Sequence, residues 1–411
     1  VYFVKIDKQV ISTFNKAKII DIIRKKGPIN KAEIARLSEL SLPTIMKIVD
    51  GLIGQGVVRC MGKAHSTGGK RPELVQFASD FQHIVGVDIG RSSIKVIVMD
   101  LSAKIIASNI NKTTITDPSL LVDSISTTII ELIKTSGIDE DKLLGIGVGV
   151  AGIIDAKNGR VIFSPDFDWV DIDFAEMFNR KLDFPIRYEN VTRAVAMSEY
   201  WYGAGSHKDL GDYICLALSY GIGAAIVING ELYRGNSEAS GEFGHINLKK
   251  DGPLCDCGNY GCLEALSSGN AIRKSAQSLI KQGHGRHILK LAENELENVE
   301  CKTVFDAAKE NDEDAMKIVD DAIEYLGMGI ANLINLFDPK TIFLSGGMVN
   351  AGEMLFEKLN REVKKRQMGF SGRSVVITKA TFDEYAAAIG AASLLLKELI
   401  ESGGDRLSLQ C

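Results

Sequence analysis

The sequence predicts an α/β protein of two lobes around a cleft, preceded by a small winged helix-turn-helix. Three observations carry this. Residues 1–80 read as three helices followed by two strands. Residues 84–106 and 213–234 repeat one design: apolar strand, glycine turn, apolar strand, polar turn, strand. The chain, at 411 residues with 45% hydrophobic and 25% charged content, has the length for two or three ordinary globular domains. The expected divisions are a head over 1–80, a first lobe over 81–200 completed by a C-terminal helix at 384–401, and a second lobe over 201–383.

Charge separates head from body. Residues 1–80 hold 14 Lys and Arg against 7 Asp and Glu, and the rest hold 34 against 46. A basic head on an acidic body is expected to meet a polyanion through the head alone. Three of the seven Cys cluster at 255–262, and Cys60, Cys215, Cys301 and Cys411 are scattered. That pattern is no disulfide framework and suits a reducing compartment. No apolar run reaches the roughly 18 residues of a membrane span, so a cytoplasmic protein without a membrane partner is expected.

In the head, Ile19, Ile20, Ile22 and Ile23 recur at helical spacing in Phe14 to Lys26, which stops before Gly27-Pro28. Asn30 caps a second helix with Glu33 at the capping-box position. Ser41 caps a third, running from Leu42-Pro43 to about Ile53. Strands at 57–60 and 74–77 flank a loop containing Gly69-Lys70-Arg71-Pro72. A winged helix-turn-helix puts its third helix in the major groove of double-stranded DNA. Thr44 and Lys47 are the candidates to face bases, and Lys70 and Arg71 to enter a narrow minor groove.

The body supplies glycine turns after apolar strands: Asp88-Ile89-Gly90, Ser219-Tyr220-Gly221 and Ser345-Gly346-Gly347. Such turns can present backbone N–H groups to phosphates, and a hairpin that simply needs glycine reads the same way. The stretch Gly241 to Ala265 says more. His245, Cys255, Cys257 and Cys262 have the ligand types and number of a closed tetrahedral zinc site. Glu242 and Glu264 flank the ligands and are placed to accept hydrogen bonds from something bound beside the metal.

Together, Asp88-Ile89-Gly90, the Gly-Glu-x-Gly-His of 241–245, the Cys-x-Cys-Gly-x-x-Gly-Cys-Leu-Glu of 255–264 and Ser345-Gly346-Gly347 resemble the ROK family of repressors, open reading frames and sugar kinases. The likeness extends to the head, because ROK repressors carry a winged helix-turn-helix with a Gly-(Arg/Lys)-Arg-Pro wing. It implies the actin-like (ribonuclease-H-like) ATPase fold, with sugar and nucleotide between the lobes. It implies structural zinc on His245, Cys255, Cys257 and Cys262, and sugar contacts from Asn190, Glu242, His245 and Glu264. The nucleotide would meet Asp88, Gly90, Gly221, Gly346 and Gly347.

Departures from the kinases of that family sharpen the expectation. There the Asn is followed by the Asp that serves as general base, and here Val191 stands in its place. Val191 cannot accept a proton, a loss of about 10²–10⁴-fold. Arg91 replaces a second glycine, and Tyr220 replaces a threonine between two glycines. A sugar sensor without catalysis is therefore expected: a sugar-responsive repressor, working as a homodimer on an inverted repeat, with ATP binding doubtful. An apolar Val191 suits a sugar lacking a free hydroxyl there, such as a pentose. An active ATP-dependent sugar kinase with an appended head is the competing expectation, and a metal-stabilised scaffold for a protein partner is the third.

Overall fold

The computed structural model of the chain describes residues 7–63, 72–91, 93–112, 114–203, 211–369 and 374–405. Its first helices are α1 (Lys8–Lys26), α2 (Lys31–Ser38) and α3 (Leu42–Gly54). Each starts where a side chain can take an orphan amide: Asp7 accepts from Gln9, Asn30 from Glu33 and Ser41 from Thr44. α1 begins ahead of the expected Phe14, and its added turns leave Val10, Ile11 and Phe14 exposed, so no apolar periodicity marks them. Strands β1 (Ile29–Asn30), β2 (Val58–Lys63) and β3 (Glu73–Phe77) form an antiparallel sheet in the order β1-β3-β2. The two-residue β1 adds an edge to the expected hairpin.

The body begins with β4 (His83–Ile89), β5 (Ser93–Asp100), β6 (Ile105–Lys112), α4 (Pro118–Ser136) and β7 (Leu143–Val150). A small antiparallel sheet follows, β8 (Ile153–Asp155), β9 (Arg160–Ser164) and β10 (Trp169–Asp173), then α5 (Phe174–Asn179), β11 (Ile186–Asn190) and α6 (Val191–Trp201). The second half runs β12 (Tyr213–Leu218), β13 (Ile222–Ile228), β14 (Glu231–Leu232), α7 (Leu263–Ser267), α8 (Gly269–Lys281), α9 (Arg286–Leu291) and α10 (Cys301–Lys309). It ends with α11 (Glu313–Phe337), β15 (Thr341–Ser345), α12 (Glu353–Arg366), β16 (Val376–Lys379) and α13 (Ala386–Glu401).

The repeat read from the sequence is a repeat of topology. One five-stranded sheet has the order β11-β7-β4-β5-β6 and the other β14-β13-β12-β15-β16. In each, the first strand (β4 or β12) runs antiparallel to the next and parallel to a later one. The last strand of each sheet, β11 or β16, leads into a helix, α6 or α13. These two helices form the middle layer between the sheets, with α4 and α5 outside the first sheet and α7 to α12 outside the second.

Small residues permit that packing. A Cβ on Gly147 of β7 would stand 2.0 Å from Ala391 O of α13, and one on Gly390 would stand 1.6 Å from Ala194 O of α6. The Ala-rich α13 therefore lies almost backbone to backbone on both neighbours. The head is not a separate core. Ile19, Ile20, Val49 and Leu52 share one buried apolar cluster with Ile84 and Met99 of the first sheet and Leu395, Leu396 and Leu399 of α13. Among the described residues no helix is long and apolar enough to cross a membrane.

Candidate functional site

Between β14 and α7 the chain makes the tight excursion that the cysteine spacing announces. Bridges Asn247 to Cys262 and Leu254 to Tyr260 hold its base, and Cys255 N donates to Asn259 O at 2.7 Å. Gly261 is obligatory, with φ at +68° and Lys249 O only 1.7 Å from where a Cβ would be. The ligand atoms of His245, Cys255, Cys257 and Cys262 all lie within 4.8 Å of one another. Cys255 Sγ is 3.7 Å from His245 Nδ1, and Cys257 Sγ is 3.7 Å from Cys262 Sγ. A tetrahedral ion with metal–sulfur bonds of about 2.3 Å needs sulfurs about 3.8 Å apart. The donor set fits a metal ion by geometry and by chemistry. Burial pushes the Cys255 thiol up to about 12 and raises Cys262 as well, so a bound cation is what would favour their thiolates.

His245 joins this centre to a cavity of about 410 Å³ between the lobes. Its Nδ1 faces the thiols, and its Nε2 lies 3.7 Å from Glu242 Oε2, too far for a direct hydrogen bond. Nε2 is therefore left to address a ligand. Nearly half of the Glu242 side chain, 46%, faces the open cavity. The protein around it still raises its carboxyl, against the pull of His245 and Arg193. Glu264 is more committed: Oε2 accepts from Ile222 N at 2.8 Å, and burial raises its carboxyl too. Asn190 also lines the cavity, yet it is first of all the cap of α6. Its Oδ1 accepts from Thr192 N at 2.8 Å and Arg193 N at 3.2 Å, and its Nδ2 donates to Gly152 O at 2.8 Å. One amide proton remains for a ligand.

A second cavity, of about 600 Å³, adjoins the first and holds the glycine turns, with Asp88, Gly90, Gly221, Gly346 and Gly347 in its wall. Gly346 has φ at +94°, and a Cβ there would meet Leu218 O at 2.4 Å, so glycine brings the ends of β12 and β15 together. In this half the polar side chains pair with one another. Lys95 Nζ donates to Asp88 Oδ2 at 2.9 Å. The Arg91 guanidinium sits over the Tyr220 ring, 4.6 Å from its centre, spanning the two lobes. Arg91 Nη1 also donates to Asp166 O at 2.8 Å. Val191 lines both cavities and stands at their junction.

In the head, Ile45, Val49 and Leu52 of α3 are buried, and Lys47 projects from the opposite face. Thr44 is half-buried, its hydroxyl 2.8 Å from Ser41 Oγ, beside a groove between α1 and α3 that Lys47 also lines. Lys70 and Arg71 lie outside the described residues.

Sequence reasoning missed a buried ion network at the cavity rim. Glu189, fully buried, takes Arg193 Nε at 2.6 Å and is also paired with Arg234, and Glu238 binds both arginines. The Glu189–Arg193 spacing of four residues was a usable local signal. Arg234 and Glu238, some 45 residues on, gave none.

A model of the ROK family matches residues 84–398. The chain is 29% identical over 395 residues to the xylose repressor of Bacillus spizizenii, covering 96% of this chain and 98% of that protein. It is 26% identical over 391 residues to the N-acetylglucosamine repressor of Escherichia coli O157:H7, covering 95% and 94%. Among solved structures it resembles a ROK family glucokinase from Streptomyces griseus in complex with glucose and AMPPNP. That likeness has a TM-score of 0.68 at 30% identity and covers 76% of this chain and 98% of that one. A ROK family transcriptional regulator homologous to the E. coli MLC protein superposes over 97% of this chain and 99% of its own, with a TM-score of 0.81 at 23% identity. This last likeness speaks for the fold, head included.

Proposed function

The chain belongs to the ROK family, and on that premise we propose that it is a sugar-responsive transcriptional repressor whose head binds operator DNA and whose cleft binds the sugar. Relatives aligned along nearly the whole length, head included, are repressors named for sugars. The observation that carries the reading is the junction at Val191. A kinase needs a carboxylate there to take the proton of the attacking hydroxyl. Glu189, two residues before, is sealed between two arginines, and Asp166, which lines both cavities, is engaged by Arg91. On the phosphate half the polar groups are likewise engaged: Lys95 holds Asp88, and Arg91 lies on Tyr220.

Zinc is the ion we assign to His245, Cys255, Cys257 and Cys262. Four protein ligands close the coordination sphere, so zinc supplies rigidity rather than an activated water. His245 is then fixed with Nε2 toward the ligand, and Glu242 and the free oxygen of Glu264 accept from hydroxyls through charge-assisted bonds. Asn190 donates its remaining proton. With Val191 facing the position of the phosphorylatable hydroxyl, a pentose or a sugar substituted at that carbon fits best. Thr44 and Lys47 are assigned to DNA, with Lys70 and Arg71 on the wing, in a homodimer that reads an inverted repeat.

Footprinting on the chain's own upstream DNA, repeated with a panel of pentoses, hexoses, N-acetylhexosamines and disaccharides, tests this. One sugar of the panel is expected to change occupancy, and ATP is expected to change nothing. Occupancy indifferent to every sugar, or sugar-dependent ATP hydrolysis, would overturn the reading.

A further inference from the structure

Helix α6 has one end in the cavity and the other against the head. Asn190, Val191, Thr192 and Arg193 at its start line the sugar-side cavity, and Trp201 ends it. Nearly every residue between is buried between the two sheets and α13, which leaves the helix no room to bend. Its eleven residues span roughly 16 Å.

At the far end Arg24 of α1 makes the polar contact, within an apolar cluster that Trp201 shares with Ile19, Ile20 and Ile23. Arg24 Nη1 donates to Trp201 O at 2.9 Å, at the negative end of the helix dipole. Its guanidinium also lies 4.9 Å from the centre of the Trp201 ring, and Nη2 is steadied by Asp21 Oδ1 at 3.2 Å. Three buried polar atoms gather here without a hydrogen-bond partner: Arg24 Nε, Trp201 Nε1 and Tyr202 OH. Because these atoms make no hydrogen bond within the protein, a shift of Trp201 against Arg24 breaks few such bonds.

The attachment of the head to α13 is of a different kind. α1 and α3 pack through Ile20 and Leu52 onto the end of α13, where Gly404 comes close to both side chains and to Val57. That contact is close-packed and mainly apolar, with Gln55 Nε2 donating to Asp405 Oδ1 at 3.0 Å beside it, and it can serve as a pivot.

We infer that Arg24 is the positioning residue through which the sugar acts on the head: α6 is the lever, its joint with α1 is the Arg24–Trp201 contact, and the apolar contact with α13 is the pivot. This rests on the repressor reading above. A ligand that draws Glu242 and His245 toward Asn190 and Arg193 shifts the start of α6. A stiff helix passes that shift to Trp201, and Arg24 passes it to α1.

The test uses the full chain and three variants: Arg24→Met, which keeps length and loses the guanidinium, Arg24→Lys, which keeps one charged donor, and Trp201→Phe, which keeps the ring plane and loses the indole N–H. Fluorescence anisotropy on the upstream DNA is read with and without saturating D-xylose, and again with N-acetyl-D-glucosamine, and calorimetry reads the affinity of each sugar. In the parent, a sugar is expected to change DNA affinity by about 5- to 150-fold, the usual size of a coupling. In Arg24→Met that change is expected to collapse to less than twofold, while sugar affinity and sugar-free DNA affinity stay within about threefold of the parent. Arg24→Lys should restore part of the response, and Trp201→Phe should weaken it. A full response in Arg24→Met overturns the joint alone. Loss of sugar-free DNA binding in both Arg24→Met and Trp201→Phe, with normal melting, makes the contact structural and also overturns it. A parent indifferent to both sugars and to the rest of the panel sinks the repressor reading, and this inference with it.

Discussion

One half of the interlobe cleft leaves polar side chains facing the cavity unpaired, and in the other they are paired among themselves. On the sugar side, Glu242 and His245 Nε2 face the cavity without a direct bond between them. On the phosphate side, Asp88 is taken by Lys95, and Arg91 lies on Tyr220 and Asp166. Both halves lie between the same two lobes. What a site can bind follows from which polar groups it leaves unpaired. Folds host many functions for that reason, and here the difference is a handful of side chains.

The comparison can be broken most severely at the metal centre. Cys255→Ser should abolish zinc retention, read by atomic absorption, and with it all sugar binding detectable by calorimetry, because the loop that aims His245 loses its anchor. Sugar binding at parental strength in a metal-free variant would contradict the rigid-loop account. Next in size is Glu242→Gln. Removing a charge-assisted hydrogen bond costs about 1.5–3 kcal/mol, so sugar affinity should fall roughly 10- to 150-fold with sugar-free DNA binding unchanged. A smaller effect is expected on the phosphate side. Arg91→Gly with Tyr220→Thr loses a cation–π contact of about 0.5–2 kcal/mol and opens the turns. The double variant should melt a few degrees lower, bind MgATP measurably and still transfer no phosphate. Smallest of all, Val191→Asp alone should leave ATP turnover undetectable, because Asp88 stays paired with Lys95 and Arg91 with Asp166.

How far the sequence could be read depended on separation along the chain. The caps Asn30 and Ser41, the starts of α2 and α3 and the two-lobe repeat are encoded within a few residues and were legible. The metal group was legible too, since its ligands fall within one short loop. The small sheet of β8 to β10 was not, because its strands are short and carry exposed apolar residues such as Phe163 and Val170. Asn190 illustrates a half-reading. Its place at the cavity was expected, but its capping of α6 was overlooked, although an Asn before a helical run is a standard start signal. Arg91 and Tyr220 each read as a departure at a phosphate turn, and only the fold brings them onto each other. The meeting of Arg24 and Trp201, 177 positions apart, left no trace in either neighbourhood.

The central claim is that the cleft recognises a sugar and does no chemistry on it. A single calorimetric series on the zinc-loaded full chain tests this most directly: D-xylose, D-glucose and N-acetyl-D-glucosamine are titrated in turn, with MgATP titrated into each complex and the mixtures then assayed for phosphorylated sugar by phosphorus NMR. The account predicts saturable binding of one of these sugars, best for one with no free hydroxyl facing Val191, no heat from MgATP and no sugar phosphate. Sugar phosphate accumulating with time, and abolished by Glu242→Ala, would contradict it.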